Sequence, residues 1–333
     1  MQQHVTVETT LDEILALPEM APYRRFMVYA PAHVPEDELP THGIRQLPLR
    51  AVGGLGWSAK GIAEGMDSFL EAIGEGRVSQ HFVYEDSDDP AECDVNLIRI
   101  LPTCPDPTKP FVILCSGGSY KNVCTLGEGI TVGRHLSEAG YQVFLLTYRV
   151  SVPEALPHAL DDVAASLGWI TGHADELELD PGRYAIAGFS AGGNLACTWG
   201  LPDVGWRTHG MSRPLCVLAI YANTDLDLES RRTASYGALP RMLGENWRGR
   251  MAAYDVVSNV DADYPPCYIV CGRNDGLLPC RHSELLKERL DAAGVLAVLE
   301  EHKNAPHGFG DGTGTDAEGW PERAMAFLDV VAR

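Results

Sequence analysis

The chain has 333 residues, 45% of them hydrophobic, which is enough for a large buried core. Its formal charge of -20 and its lack of any basic cluster argue against nucleic-acid and membrane partners, and favour a neutral or cationic ligand over a polyanion. Nine cysteines without short metal-binding spacing, odd in number, fit a reduced compartment in which at least one thiol is unpaired.

At the amino terminus, Met1-Gln2-Gln3-His4-Val5-Thr6 has neither a basic nor an apolar leader segment, and no apolar stretch reaches membrane-spanning length. A cytoplasmic protein is expected. Residues 1–78 read as an N-terminal extension with helices at Leu11–Leu17 and Ser58–Ile73, a candidate cap or dimerisation arm that leaves a homo-oligomer open. Trp57, Met66 and Phe69 in it read as core residues. From residue 79 to 333 strands and helices alternate, the pattern of an α/β fold with a mostly parallel central sheet and helices on both faces. Strands are predicted at 80–85 and 95–101, as an antiparallel edge, and at 111–115, 142–147, 183–188, 215–221, 266–271 and 295–301. Helices are predicted over Leu126–Ala139, Ala155–Ala174, Ala191–Gly200, Arg281–Ala293 and Gly319–Ala332 on apolar three-and-four spacing. Residues 225–262 are a candidate lid insertion, since connections at the carboxyl ends of strands shape pockets in such sheets.

Chemistry enters at Gly188-Phe189-Ser190-Ala191-Gly192, which joins an apolar run to an alanine-rich helical segment. A strand, Gly-x-Ser-x-Gly and then a helix form a nucleophile elbow, so Ser190 is the candidate nucleophile. A serine hydroxyl needs a base, and the base needs an orienting acid. Asp275 lies just past the strand ending at Gly272, and His307 lies on the glycine-punctuated loop Asn304–Gly310. Asp225 is the rival acid and His302 the rival base. Asp275 is preferred because its strand immediately precedes the helix and strand leading to His307, which sits on a freer loop than His302. The loop Ser116-Gly117-Gly118-Ser119-Tyr120 follows the 111–115 strand and could supply oxyanion donors with the Ala191 N–H. Gly117 and Gly118 rank ahead of Ser119 as donors, while Ser119 and Tyr120 are candidate substrate-binding residues. Lys121 is wrongly spaced for a phosphate-binding loop. Glu128 reads equally as an anchor of this loop or as a solvated carboxylate at a helix start. Cys115 and Cys271 read as inert strand residues.

These segments resemble the α/β-hydrolase carboxylesterases, in particular the bacterial acetyl-esterase and xylan-esterase-like branch related to the hormone-sensitive-lipase-like esterases. The resemblance rests on Ser116–Tyr120, Gly140–Val150, the elbow, Tyr264-Pro265-Pro266 leading to Asp275, and Pro306–Phe309, and spans roughly residues 80 to 333. The chain departs from the family in having Ser116 where His or Pro is usual and Ser119 where a third glycine is usual. The resemblance implies a serine carboxylesterase acting on short acyl esters, acetyl first, including acetylated carbohydrates. Such chemistry needs no metal or organic cofactor, and its partner is a small-molecule ester. Two alternatives are an amidase or peptidase using the same triad, and a non-catalytic small-molecule binding protein on the same scaffold.

Overall fold

A computed structural model describes residues 4–51, 56–232 and 238–333. Residues 233–237 of the expected lid, and 1–3 and 52–55 of the extension, lie outside the described residues.

Eight strands form one sheet: β1 (Val78–Phe82), β2 (Asn96–Ile100), β3 (Phe111–Cys115), β4 (Val143–Thr147), β5 (Tyr184–Phe189), β6 (Cys216–Ile220), β7 (Cys267–Gly272) and β8 (Ala297–His302). Their order is β1-β2-β4-β3-β5-β6-β7-β8. The pairs β1/β2 and β2/β4 are antiparallel and all others parallel. β3 to β7 are buried along their whole length, which accounts for their near-continuous apolar sequences: a parallel strand covered by helices on both faces has no solvent side to mark with polar residues. The first strand sits two residues earlier than predicted, because pairing of Val78 with Ile100 sets its start and that of Phe82 with Asn96 its end.

Helices over Ala155–Gly172, Ser190–Trp199, Arg281–Ala292 and Trp320–Val331 agree with the periodicity. The stretch predicted as one helix from Leu126 is two pieces, a π-helical turn over Thr125–Gly129 and an α-helix over Ile130–Glu138. In the first 51 residues, a helix over Leu11–Ala16 begins in a capping box: Thr10 Oγ1 accepts the Glu13 N–H at 3.1 Å, and Glu13 Oε2 accepts the Thr10 N–H at 2.8 Å. This segment joins the stretch that follows β3 through backbone bonds exchanged between Tyr29 and Val123 and from the Leu126 N–H to the Met27 carbonyl. Its apolar side chains share a continuous core with the sheet. Among the described residues of 225–262 there are four short helices: Leu226–Arg232, Ala238–Leu243, Trp247–Tyr254 and Val256–Asn259.

Strand order reverses at β3, which lies between β4 and β5. In open α/β sheets the crevice outside the carboxyl ends of strands at such a point receives ligands. Among the described residues no helix is long and apolar enough to cross a membrane.

Candidate active site

The crevice is built by the loops leaving β3, β5, β7 and β8. Ser190 follows β5 directly with φ +53°, the left-handed conformation that lifts its side chain out of the strand-to-helix turn. The flanking glycines are required by close backbone approach. A Cβ at Gly188 would lie 2.0 Å from the Gly192 carbonyl oxygen, and one at Gly192 would lie 2.0 Å from that of Cys115.

His307 faces the serine. Its Nε2 is 2.9 Å from Ser190 Oγ, and its Nδ1 is 2.7 Å from Asp275 Oδ2. The other carboxylate oxygen of Asp275 accepts the N–H groups of Leu277 and Leu278 at 2.8 and 2.7 Å, which fixes the acid in place. The three residues separated by up to 117 positions in sequence thus form one hydrogen-bonded chain. The rivals lie elsewhere. Asp225 Oδ1 accepts the Leu228 N–H at the start of the Leu226–Arg232 helix, and His302 on β8 lies 3.8 Å from Glu300.

The loop after β3 supplies the facing wall. Gly117 donates its N–H to Glu128 Oε2 at 2.5 Å, so that donor is already engaged. Among the described residues no acceptor takes the N–H of Gly118 or of Ala191. Ser119 and Tyr120 both hold left-handed backbone, at φ +56° and +54°. Gly118, at φ +137°, passes so close to Asn122 that a Cβ would meet its carbonyl oxygen at 2.0 Å. Tyr120 is buried, with its hydroxyl donating to Asn194 Oδ1 at 2.7 Å, so it buttresses the elbow helix while lining the crevice.

Glu128 is fully enclosed in the π-helical turn rather than solvated. Tyr221, itself at φ +38°, donates its hydroxyl to Glu128 Oε1 at 3.0 Å, and its ring lies edge-on to His307 at 5.0 Å. Burial pushes the Glu128 carboxyl up to about 7, against the opposing pull of the Gly117 N–H, the Tyr221 hydroxyl and His307. A π turn in place of the expected helix start is what sets this carboxylate inward, and the sequence carries no visible mark of it.

Two cavities meet at Ser190. One, of about 250 Å³, contains His307, Trp57, Pro40 and Glu128. Trp57 has a core-like burial of 5% and also lines this cavity, with its indole against Gly127. The other, of about 310 Å³, runs away from the histidine between Tyr120, Ala191 and the 225–262 helices, where Ala238, Arg241 and Met242 reach it. Arg232, Arg241 and Tyr221 escaped the sequence reading because no local pattern ties them to the elbow.

A mostly parallel sheet with a serine elbow at its switch point, an acid after β7 and a histidine after β8 defines the α/β-hydrolase class. Within that class the chain belongs to the BD-FAE family, which residues 100–290 match. It is 27% identical over 195 residues, 55% of this chain and 45% of the relative, to LipM of Mycobacterium tuberculosis, a carboxylic ester hydrolase by name. It is 28% identical over 236 residues, 67% of this chain and 58% of the relative, to esterase LipC of the same organism. The chain therefore spans about half the length of these curated relatives. In fold it is similar to an acetyl ester-xyloside bifunctional hydrolase from Caldicellulosiruptor lactoaceticus, with a TM-score of 0.62 and 24% identity over 77% of this chain and 97% of the other.

Proposed function

We propose that this protein is a serine carboxylesterase that hydrolyses short-chain acyl esters. The observation that carries the reading is the hydrogen-bonded chain Ser190–His307–Asp275 at the elbow, set opposite the unengaged N–H groups of Gly118 and Ala191. His307 takes the Ser190 proton as the hydroxyl attacks the ester carbonyl, and Asp275 holds the imidazolium that forms. The carbonyl oxygen, now negative, is received by the two N–H groups, each contributing about 3 kcal/mol to the barrier reduction. The bond to the alcohol breaks as His307 returns the proton to the leaving oxygen. Water then attacks the acyl-serine by the same steps, releasing the acid and restoring Ser190.

The esterase names of the relatives support ester over amide substrates, and the acetyl ester-xyloside hydrolase supports acetylated carbohydrates among the esters. The N-terminal extension and the 225–262 helices serve, in this reading, as the cover over the two cavities. The nine free thiols fit a cytoplasmic setting.

The test is hydrolysis of a p-nitrophenyl ester series from acetyl to decanoyl by the wild type and by Ser190→Ala. Highest kcat/KM at acetyl or butyryl, lost in a variant whose circular dichroism is unchanged, supports the reading. Turnover that survives Ser190→Ala, or hydrolysis of p-nitroanilides but of no ester, overturns it.

A further inference from the structure

The 310 Å³ cavity has an electrostatic character that opposes the net charge of the molecule. The chain carries a net charge of -20, yet three cationic side chains, Lys121, Arg232 and Arg241, line this one space beside Ser190. Lys121 is neutralised by an ion pair with Glu38. The two arginines have no carboxylate within ion-pair distance among the described residues. Each instead spends one N–H on a backbone carbonyl: Arg232 Nη1 donates to Leu277 O at 2.8 Å, and Arg241 Nη1 to Ser119 O at 2.9 Å. A guanidinium has five N–H donors, so both retain the planar edge that grips a carboxylate in two places.

Arg241 is half-buried, and burial draws its pKa down, the mark of a cation held partly out of water without a full counter-charge; Glu38, further off, opposes this. Glu229, on the same helix as Arg232, also lines the cavity. Even with Glu229 ionised, two guanidinium groups leave the wall net positive. Ala238, Met242, Leu277 and Leu278 give the same cavity an apolar part of its lining, beside the polar Ser119, Asn194 and Asn223, and that part suits a short methylene chain.

The two cavities also divide the ester. The leaving alcohol must receive its proton from His307, and His307 lines the smaller cavity and not this one. The larger cavity therefore takes the acyl part.

Resting on the serine-esterase reading, we infer that the acyl groups this site accepts end in a carboxylate, which Arg232 and Arg241 bind, so that half-esters of short dicarboxylic acids are preferred over neutral esters of equal length. The arginines act on specificity, leaving the bond-breaking steps to the triad.

The experiment compares monoethyl succinate with ethyl pentanoate, and monoethyl adipate with ethyl heptanoate, by acid release at constant pH. For the wild type, kcat/KM on at least one half-ester should exceed that on its neutral partner by about tenfold or more. Arg232→Gln and Arg241→Gln should each reduce that ratio about tenfold, through KM, as the loss of a charge-assisted hydrogen bond predicts. A wild-type ratio of one or less, or a ratio that survives both substitutions, overturns the inference while leaving a serine esterase intact. A wild type that hydrolyses none of these esters, nor any p-nitrophenyl ester, sinks the esterase reading itself. The anion site is then read without turnover: calorimetric binding of succinate to Ser190→Ala, weakened about tenfold by adding Arg241→Gln, supports it, and the absence of that difference refutes it.

Discussion

Replacing Glu128 by Gln removes the buried carboxylate behind the loop that follows β3 while keeping an oxygen to accept the Gly117 N–H. Burial raises the Glu128 carboxyl from 4.5 to about 7. Between those pH values the folded protein keeps a proton that the unfolded chain has released. The stability this group contributes is therefore fully present below pH 4.5 and lost as pH rises through 7. At about 1.4 kcal/mol per pKa unit, the loss amounts to about 3 kcal/mol once the group is ionised. Glu128→Gln does not titrate, so its stability relative to wild type should improve by about that amount between pH 4.5 and 8.5. Urea unfolding of both proteins at half-unit pH steps measures the difference directly, and titrating groups that do not interact with Glu128 cancel in the subtraction. A difference that stays level across the range would show that the carboxylate titrates in the folded protein as it does in the unfolded chain, and the reasoning from burial would fail.

Three further outcomes are expected. Asp162 is fully buried, accepting from the Arg149 N–H at 2.7 Å, from Arg149 Nε at 2.8 Å and from the Tyr84 hydroxyl at 3.0 Å; Asp162→Ala leaves the buried guanidinium with only Glu92, at 3.0 Å, as a carboxylate partner and should cost about 3 kcal/mol in denaturant unfolding, whereas a cost under about 1 kcal/mol would mean that Glu92 and solvent together satisfy Arg149. Gly192→Ala forces a methyl onto the Cys115 carbonyl oxygen at 2.0 Å, with backbone on both sides and no side chain to move aside, so it should abolish ester hydrolysis and lower the melting temperature; near-normal turnover would mean that the elbow can open. Tyr120→Phe leaves Asn194 Oδ1 without its donor and should cost about 1–3 kcal/mol of stability, visible as a lower urea midpoint, and an unchanged midpoint would remove Tyr120 as a buttress.

How much was legible in the sequence depended on whether the constraint was local. Gly188 and Gly192 are fixed by backbone contacts within a five-residue turn, so the elbow shows itself as a motif. Asp275 and His307 are readable because each follows a strand in chain order, and the structure joins them to Ser190 by hydrogen bonds. The continuous apolar runs of β3 to β7 announce a covered parallel sheet, while the edge strand β1, with its polar Ser79, Gln80 and His81, misplaced its own ends. Gly117 looked as good a donor as Gly118 because nothing in a sequence shows that a carboxylate eleven residues on turns inward to claim its N–H. Arg232 and Arg241 carry no local pattern that ties them to the elbow. Only the fold sets them beside Ser190.

The same polar character of the outer strands bears on association. A sheet eight strands wide ends in two rows of backbone donors and acceptors, at β1 and β8, that could pair with another chain. On β8, Glu300 and Glu301 sit toward the carboxyl end of the free margin, tied to Arg323 and Arg273 by ion pairs. A neighbouring strand adding itself there would have to dehydrate or break both pairs. Growth of the sheet from molecule to molecule is thereby discouraged by the margin itself, and the net charge of -20 adds a long-range repulsion between copies.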